Sequence, residues 1–283
     1  MRYLLLLAVV LVSLCTGLPD IPFINPVNNT ASPRTLAIDS PDLFIGIDTV
    51  PAEVKPNRSV NTFFELRNKN NYDLKNVKLT IYDPCIFTGD TEKDIGIIKA
   101  NGTKTFSLKL TSENTDLDEN CNLKFRVEYD TNYSLYQSIA VLKKEEYEQR
   151  EIAGTLNSIP INAMYPSSPL KISLTFSDEQ PFIENENKYL HLDYFNVGDG
   201  LVTVNKGDIK IKIPTNIKDF SCGDYDSNLA LNEDLNFFGN RASSSTCSFT
   251  TTATSPIDIK SLEVTASYKY ALDNSISIRV RVK

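Results

Sequence analysis

Five cysteines and a single histidine limit the chemistry this chain can carry. Cys85, Cys121, Cys222 and Cys247 fall into two separated pairs, whereas Cys15 lies inside an apolar N-terminal run. Thiolate zinc sites favour close C-x2-C spacing, which the sequence lacks, while an even set of cysteines in an exported chain suits disulfides. Their division between the two halves of the chain predicts Cys85 bonded to Cys121 and Cys222 to Cys247. Ser-His-Asp, Cys-His and His-ligated metal chemistry would all have to use His191. That residue sits in "KYLHLDYF", where Tyr189, His191, Asp193 and Phe195 share one strand face and Leu190, Leu192 and Tyr194 the other. An ordinary strand position accounts for it.

Two acidic or glycine-containing loops invite a ligand reading. "ENTDLDENC" places Asp116, Asp118 and Asn120 at alternate positions, as in a calcium loop, but Cys121 stands where that loop needs glycine and the bidentate Glu is missing. "NVGDGLV" (196–202) is read as a tight turn, with Gly198 and Gly200 expected to supply positive φ. No metal, cofactor or catalytic residue is assigned. Four N-x-S/T triplets, at Asn28, Asn57, Asn101 and Asn132, are possible glycosylation sites, all in the first half.

Such chemistry presupposes export. Arg2 precedes an apolar run, Leu4 to Leu14, too short to cross a ~30 Å hydrocarbon core, and small residues follow. This is a signal peptide, residues 1–17, with cleavage after Gly17 expected from Cys15-Thr16-Gly17. Lipidation of Cys15 is the competing reading, against which Leu14 occupies the place of a small residue. With no later run of about 20 apolar residues, no membrane span is expected in the mature chain. The localisation expected is secreted or on the extracellular face of the cell envelope. A net charge of −7 and the lack of any Lys/Arg cluster beyond Lys143-Lys144 give nucleic acid no electrostatic basis for binding.

The elements that must position these residues are strands. After a proline-containing tether, residues 18–35, short segments alternate with period two: "SVNTFFELRN", "LKNVKLTIYD", "DIGIIKANGTKTFSLKL" and "CNLKFRVEYD". Cys121 shares the parity of Leu123 and Phe125 and so points inward. The second half repeats the texture in "PLKISLTF" and "DIKIKIP", and "SLEVTASYKY" with "SISIRVRVK" reads as a hairpin turned by "ALDN". Between the halves, "KKEEYEQREIAG" is a solvated charge run that either extends a strand or makes one or two helical turns. The expected fold is all-β, with two tandem Ig-like antiparallel β-sandwich domains, residues 36–150 and 151–283.

"ELRNKNNYDLKNVKLTIYD" followed by "DIGIIKANGTKTFSLKL" resembles the CARDB and related S-layer-associated Ig-like domains of prokaryotic surface proteins. The match runs from Asn68 to Leu110, with Asn71-Tyr72-Asp73 where a Gly-containing turn is usual. The resemblance implies a seven-strand sandwich, surface display and an adhesive or spacing role, without an active site. The second half resembles the C-terminal β-domain of small secreted archaeal proteins. The function expected is non-enzymatic: adhesion, envelope structure or binding of a protein or glycan partner at the cell surface. The alternative is a secreted carbohydrate-active enzyme or accessory sugar-binding protein using some of the 36 acidic residues, without tryptophan as a stacking platform.

Overall fold

A computed structural model describes residues 34–282. Its first strands are β1 (Arg34–Asp39), β2 (Leu43–Val50), β3 (Glu53–Val54), β4 (Ser59–Asn68), β5 (Leu74–Asp83), β6 (Phe87–Gly89), β7 (Glu92–Ile98), β8 (Thr103–Ser112) and β9 (Glu119–Leu142). A helix, α1 (Lys144–Ala153), is followed by β10 (Ala163–Met164), β11 (Leu170–Phe176), β12 (Phe182–Ile183), β13 (Asn187–Asn196) and β14 (Leu201–Thr203). The chain continues through β15 (Ile209–Lys212), β16 (Ile217–Cys222), β17 (Ser245–Thr251) and β18 (Ile257–Val280).

Period-two alternation becomes burial directly. Along β4, Val60, Thr62, Phe64, Leu66 and Asn68 are buried and each residue between them is exposed. The charge run forms α1, whose residues include none that is fully buried, and Glu145 and Glu146 in its first turn with Arg150 in its last complement the helix dipole. Of the two alternatives for this segment, the solvated helix is the one realised.

Among the described residues three sheets result, in the orders β1-β2-β4-β8-β6, β14-β18-β9-β5-β7 and β11-β13-β17-β16. Strands β9 and β18 are 24 residues each and pair antiparallel throughout, from Ile257 opposite Leu142 to Val280 opposite Glu119. At ~3.4 Å per residue such a ladder extends about 80 Å before twist shortens it, several times the usual strand length. Odd-numbered residues of β9 from Cys121 to Val141 are buried without a break, and so are Leu262, Val264, Ala266, Tyr268, Tyr270, Leu272, Ile276, Ile278 and Val280 of β18.

Unbroken parity puts both smaller sheets on the same face of the ladder. One packs at the 119–130 end, where Phe64 meets Phe125 edge-on at 5.8 Å. The other packs at the 131–142 end, where Asn216 donates to the carbonyls of Ile139 (3.0 Å) and Asp258 (3.2 Å). On the opposite face, Ala140 and Leu142 are covered by Tyr147 of α1 with Leu156 and Ile159.

Strand β18, from residues 151–283, lies in the same sheet as β5, β7 and β9 from residues 36–150, so the two sandwiches share a floor. The hairpin expected at "ALDN" is not formed: Ala271, Leu272, Asp273 and Asn274 pair in register with Glu128, Val127, Arg126 and Phe125. Arg126 grips Asp273 through two hydrogen bonds of 2.6 and 2.7 Å, and Leu272 is only 2 % exposed. A turn leucine would tolerate truncation. Leu272→Ala is therefore expected to cost about 2 to 5 kcal/mol in chemical denaturation, the range for a buried strand leucine; a change under about 0.5 kcal/mol would favour a turn.

Candidate functional site

Where the two sandwiches adjoin, the ladder contributes Tyr129, Thr131 and Tyr133 from β9 and Tyr268 and Tyr270 from β18, all buried. Asp42, immediately before β2, enters this seam with no exposed surface and accepts a 2.6 Å hydrogen bond from the Tyr129 hydroxyl at Oδ1. Its Oδ2 has no partner among the described residues. Burial pushes the Asp42 carboxyl up to about 6, against the opposing effects of Tyr129, Ser40 and Lys69. Tyr129 is pushed far above its ordinary range by burial and by the neighbouring Asp42 charge. Beside this pair, Ser168 and Tyr268 share a 2.6 Å hydrogen bond, and Tyr72 donates to the Ser167 carbonyl at 3.1 Å.

Gly198 and Gly200 belong to the same seam and correct the expectation placed on them. Neither appears among the glycines with positive φ. A side chain at either position would collide with Tyr270, and at Gly200 also with the Ala271 carbonyl. Their requirement is close approach: the Gly200 N–H donates to the Tyr270 hydroxyl at 2.7 Å.

A second site is carried by residues 223–244, which join β16 to β17. A connection beyond ~12–15 residues is uncommon in a compact domain and is often functional. Here the Cys222–Cys247 disulfide closes its base, with the two cysteines opposite each other in the β16–β17 register. Isolated bridges pin it along its length, among them Tyr225 with Leu231, Val204 with Leu235 and Phe195 with Arg241. The buried Tyr225 hydroxyl lies 2.8 Å from that of Tyr194, which donates to Ser245 at 3.0 Å. Arg241 reaches Asp193 at 2.6 Å and stacks over Phe195 at 5.3 Å.

The ordered loop encloses a cleft of about 300 Å³ lined by Asp224, Glu233, Asp234, Asn236, Phe238 and Ser243, among others, with no lysine or arginine in its walls. Phe238 is 83 % exposed at its rim. Carboxylate and amide oxygens beside an open aromatic ring suit a hydroxyl-rich or cationic partner surface and repel an anionic one. The loop's remaining carboxylate, Asp226, accepts the N–H groups of Ala230 (2.9 Å) and Asn228 (2.8 Å), which hold it below the usual range, and the lining Asp234 accepts the Lys206 N–H at 2.7 Å.

Both expected disulfides are present, Cys85 with Cys121 and Cys222 with Cys247. Glu119 lies near the first pair, but its two sulfurs are bonded to each other and so are not free thiolate ligands. In the acidic loop before β9, Asp118 accepts the Val282 N–H at 2.9 Å and Asn120 accepts from Arg279 at 3.1 Å. His191 sits on the outward face of β13 with Nδ1 3.0 Å from the Thr246 hydroxyl. Asn57, Asn101 and Asn132 are exposed. The signal peptide, Cys15, most of the tether and Asn28 lie outside the described residues.

No protein-family model matches the chain, and no curated protein does. Among solved structures, the chain is similar to the C-terminal globular domain of the oligosaccharyltransferase from Pyrococcus abyssi, at 12 % identity over 81 % of this chain and a TM-score of 0.23. The match spans 45 % of that protein chain. A likeness of that size is no ground for transferring topology or activity.

The native Asp42 pKa of about 6 exceeds the ordinary 3.8, so between these values the folded state binds more protons than the unfolded chain. The stability tied to this group is full below pH 3.8 and is lost as pH rises through about 6. Asp42→Asn is expected to remove that component, altering the pH 4 to pH 7 stability difference by roughly 2 kcal/mol. Urea unfolding of both proteins across that window measures it, and parallel curves would contradict it.

Proposed function

We propose that this is a secreted, non-enzymatic protein of the cell envelope or extracellular space that binds a protein or glycan partner through the cleft of residues 223–244. The observation that carries this reading is the loop: long, cross-linked at its base, pinned by bridges, and presenting Phe238 at 83 % exposure beside an anionic cleft. A preorganised loop loses little freedom on binding. Large aromatic side chains are enriched among the few residues that dominate binding energy. The ladder beneath it joins two sandwiches into one scaffold, which suits presentation of a binding surface at a distance from an attachment point.

Two further considerations support the same reading. Disulfides persist in oxidising compartments, and the resemblance of Asn68–Leu110 to CARDB and S-layer-associated domains implies display on a prokaryotic surface. No long apolar helix capable of crossing a membrane occurs among the described residues.

The test is capture of cross-linked partners from the envelope fraction of the source cells, comparing the native chain with Phe238→Ala. The variant is expected to keep its stability within about 0.5 kcal/mol, as for an exposed position. Its partner affinity is expected to fall about 30-fold or more, the effect of losing a binding hot spot of about 2 kcal/mol. Equal capture by both proteins would contradict the assignment of this cleft.

A further inference from the structure

The N-x-S/T triplets differ in their surroundings. At Asn57 both recognition groups are engaged: the side-chain amide donates to Asn114 at 3.1 Å, and the Ser59 hydroxyl is 3.0 Å from that of Thr111. At Asn101-Gly102-Thr103 and Asn132-Tyr133-Ser134, neither the amide nor the hydroxyl has a side-chain hydrogen bond within the described residues. Asn101 stands at a turn tip with φ of +54°, its N–H held by the Asn70 carbonyl at 2.9 Å.

Asn132 lies in β9 opposite Ser267 of β18, on a stretch where the other flank of the strand is open. Pairing with β5 ends at Asp130, and pairing with β10 begins at Tyr136. That gap opens into a cleft of about 600 Å³. Asn101 and Asn132, 31 positions apart in the chain, both line it, with Lys69, Asn70, Tyr136 and Ser167 among the other walls.

We propose that Asn101 and Asn132 are N-glycosylated and that their glycans share this cleft. The donor is a glycan activated on a lipid phosphate, transferred by an enzyme acting in trans. The side-chain amide nitrogen bonds to the anomeric carbon, the carbon–oxygen bond to phosphate breaks with its electrons retained by the departing lipid phosphate, and the amide proton passes to a base of the transferring enzyme. Once attached, the first sugars lie against a wall of amide, ammonium and hydroxyl groups able to hydrogen-bond a saccharide. They also cover the open edge of β9, a segment otherwise free to pair with another chain.

This inference rests on export, as does the function proposed above. The test is glycopeptide mass mapping of the full chain recovered from the medium or envelope of its own cells, beside Asn57→Gln, Asn101→Gln and Asn132→Gln. Sugar is expected on the peptides containing Asn101 and Asn132, with one glycan mass lost in each corresponding variant and none in Asn57→Gln. Amide exchange over residues 131–135 is expected to quicken when both glycans are removed.

Bare peptides at either site, in an exported chain with both disulfides formed, would overturn the inference and leave the partner-binding role standing. Sugar on Asn57 would overturn its selectivity. Unchanged exchange after deglycosylation would overturn the shared cleft. A chain recovered reduced and inside the cell would overturn the export on which both proposals depend.

Discussion

The antiparallel pairing of β9 with β18 is the constraint on which the rest depends. Because side chains alternate with period two, 24 residues of uninterrupted register commit every second residue of both strands to one face. A slip of β18 by one residue would turn Leu262, Tyr270 and Ile278 away from the face that Phe125, Tyr129 and Leu135 occupy. Both smaller sheets are thereby directed to the same side, and a single hydrophobic core runs beneath them. The bidentate Arg126–Asp273 pair on the outward face strengthens the middle of the ladder only modestly, as expected for a partly exposed ion pair.

Building two sandwiches on one floor creates a place where they adjoin, and the chain fills it with polar groups. Asp42, the tyrosines of β9 and β18, Ser168 and the 196–200 turn meet there, with glycines where Tyr270 leaves no room. A buried carboxylate with one unpartnered oxygen destabilises the charged form. An apolar seam would avoid that cost, but polar groups at such a position restrict how surrounding elements can pack. The disulfides act farther out, one tying the loop after β5 to the start of β9 and the other closing the loop that bears the cleft.

Much of this architecture was legible residue by residue. The alternation in "SVNTFFELRN" and "LKNVKLTIYD" coincides with β4 and β5 from first residue to last, since half-buried strands write their faces into sequence. Cysteine spacing was sufficient for the pairing. "ALDN" misled because Asp and Asn are turn residues by local chemistry, whereas here Asp273 is held by a charge 147 positions away. A signal was present: Tyr270 and Leu272 continue the even-numbered apolar parity of Leu262 through Ile278 across the supposed turn. Asp42 left no comparable trace, because "SPDL" reads as an exposed turn and its burial depends on Tyr129 and Tyr270, both remote in sequence. The cleft of residues 223–244 was equally silent, since irregular backbone has no period.

Native-state hydrogen exchange across the ladder tests the central claim most directly. If β9 and β18 form one continuous pair, the inter-strand amides of residues 125–128 and 271–274 exchange as slowly as those near Ile139 and Leu262, in the same cooperative opening. Fast exchange confined to residues 271–274, with the two ends opening at different free energies, would mean that the chain turns there and that the sandwiches stand on separate sheets.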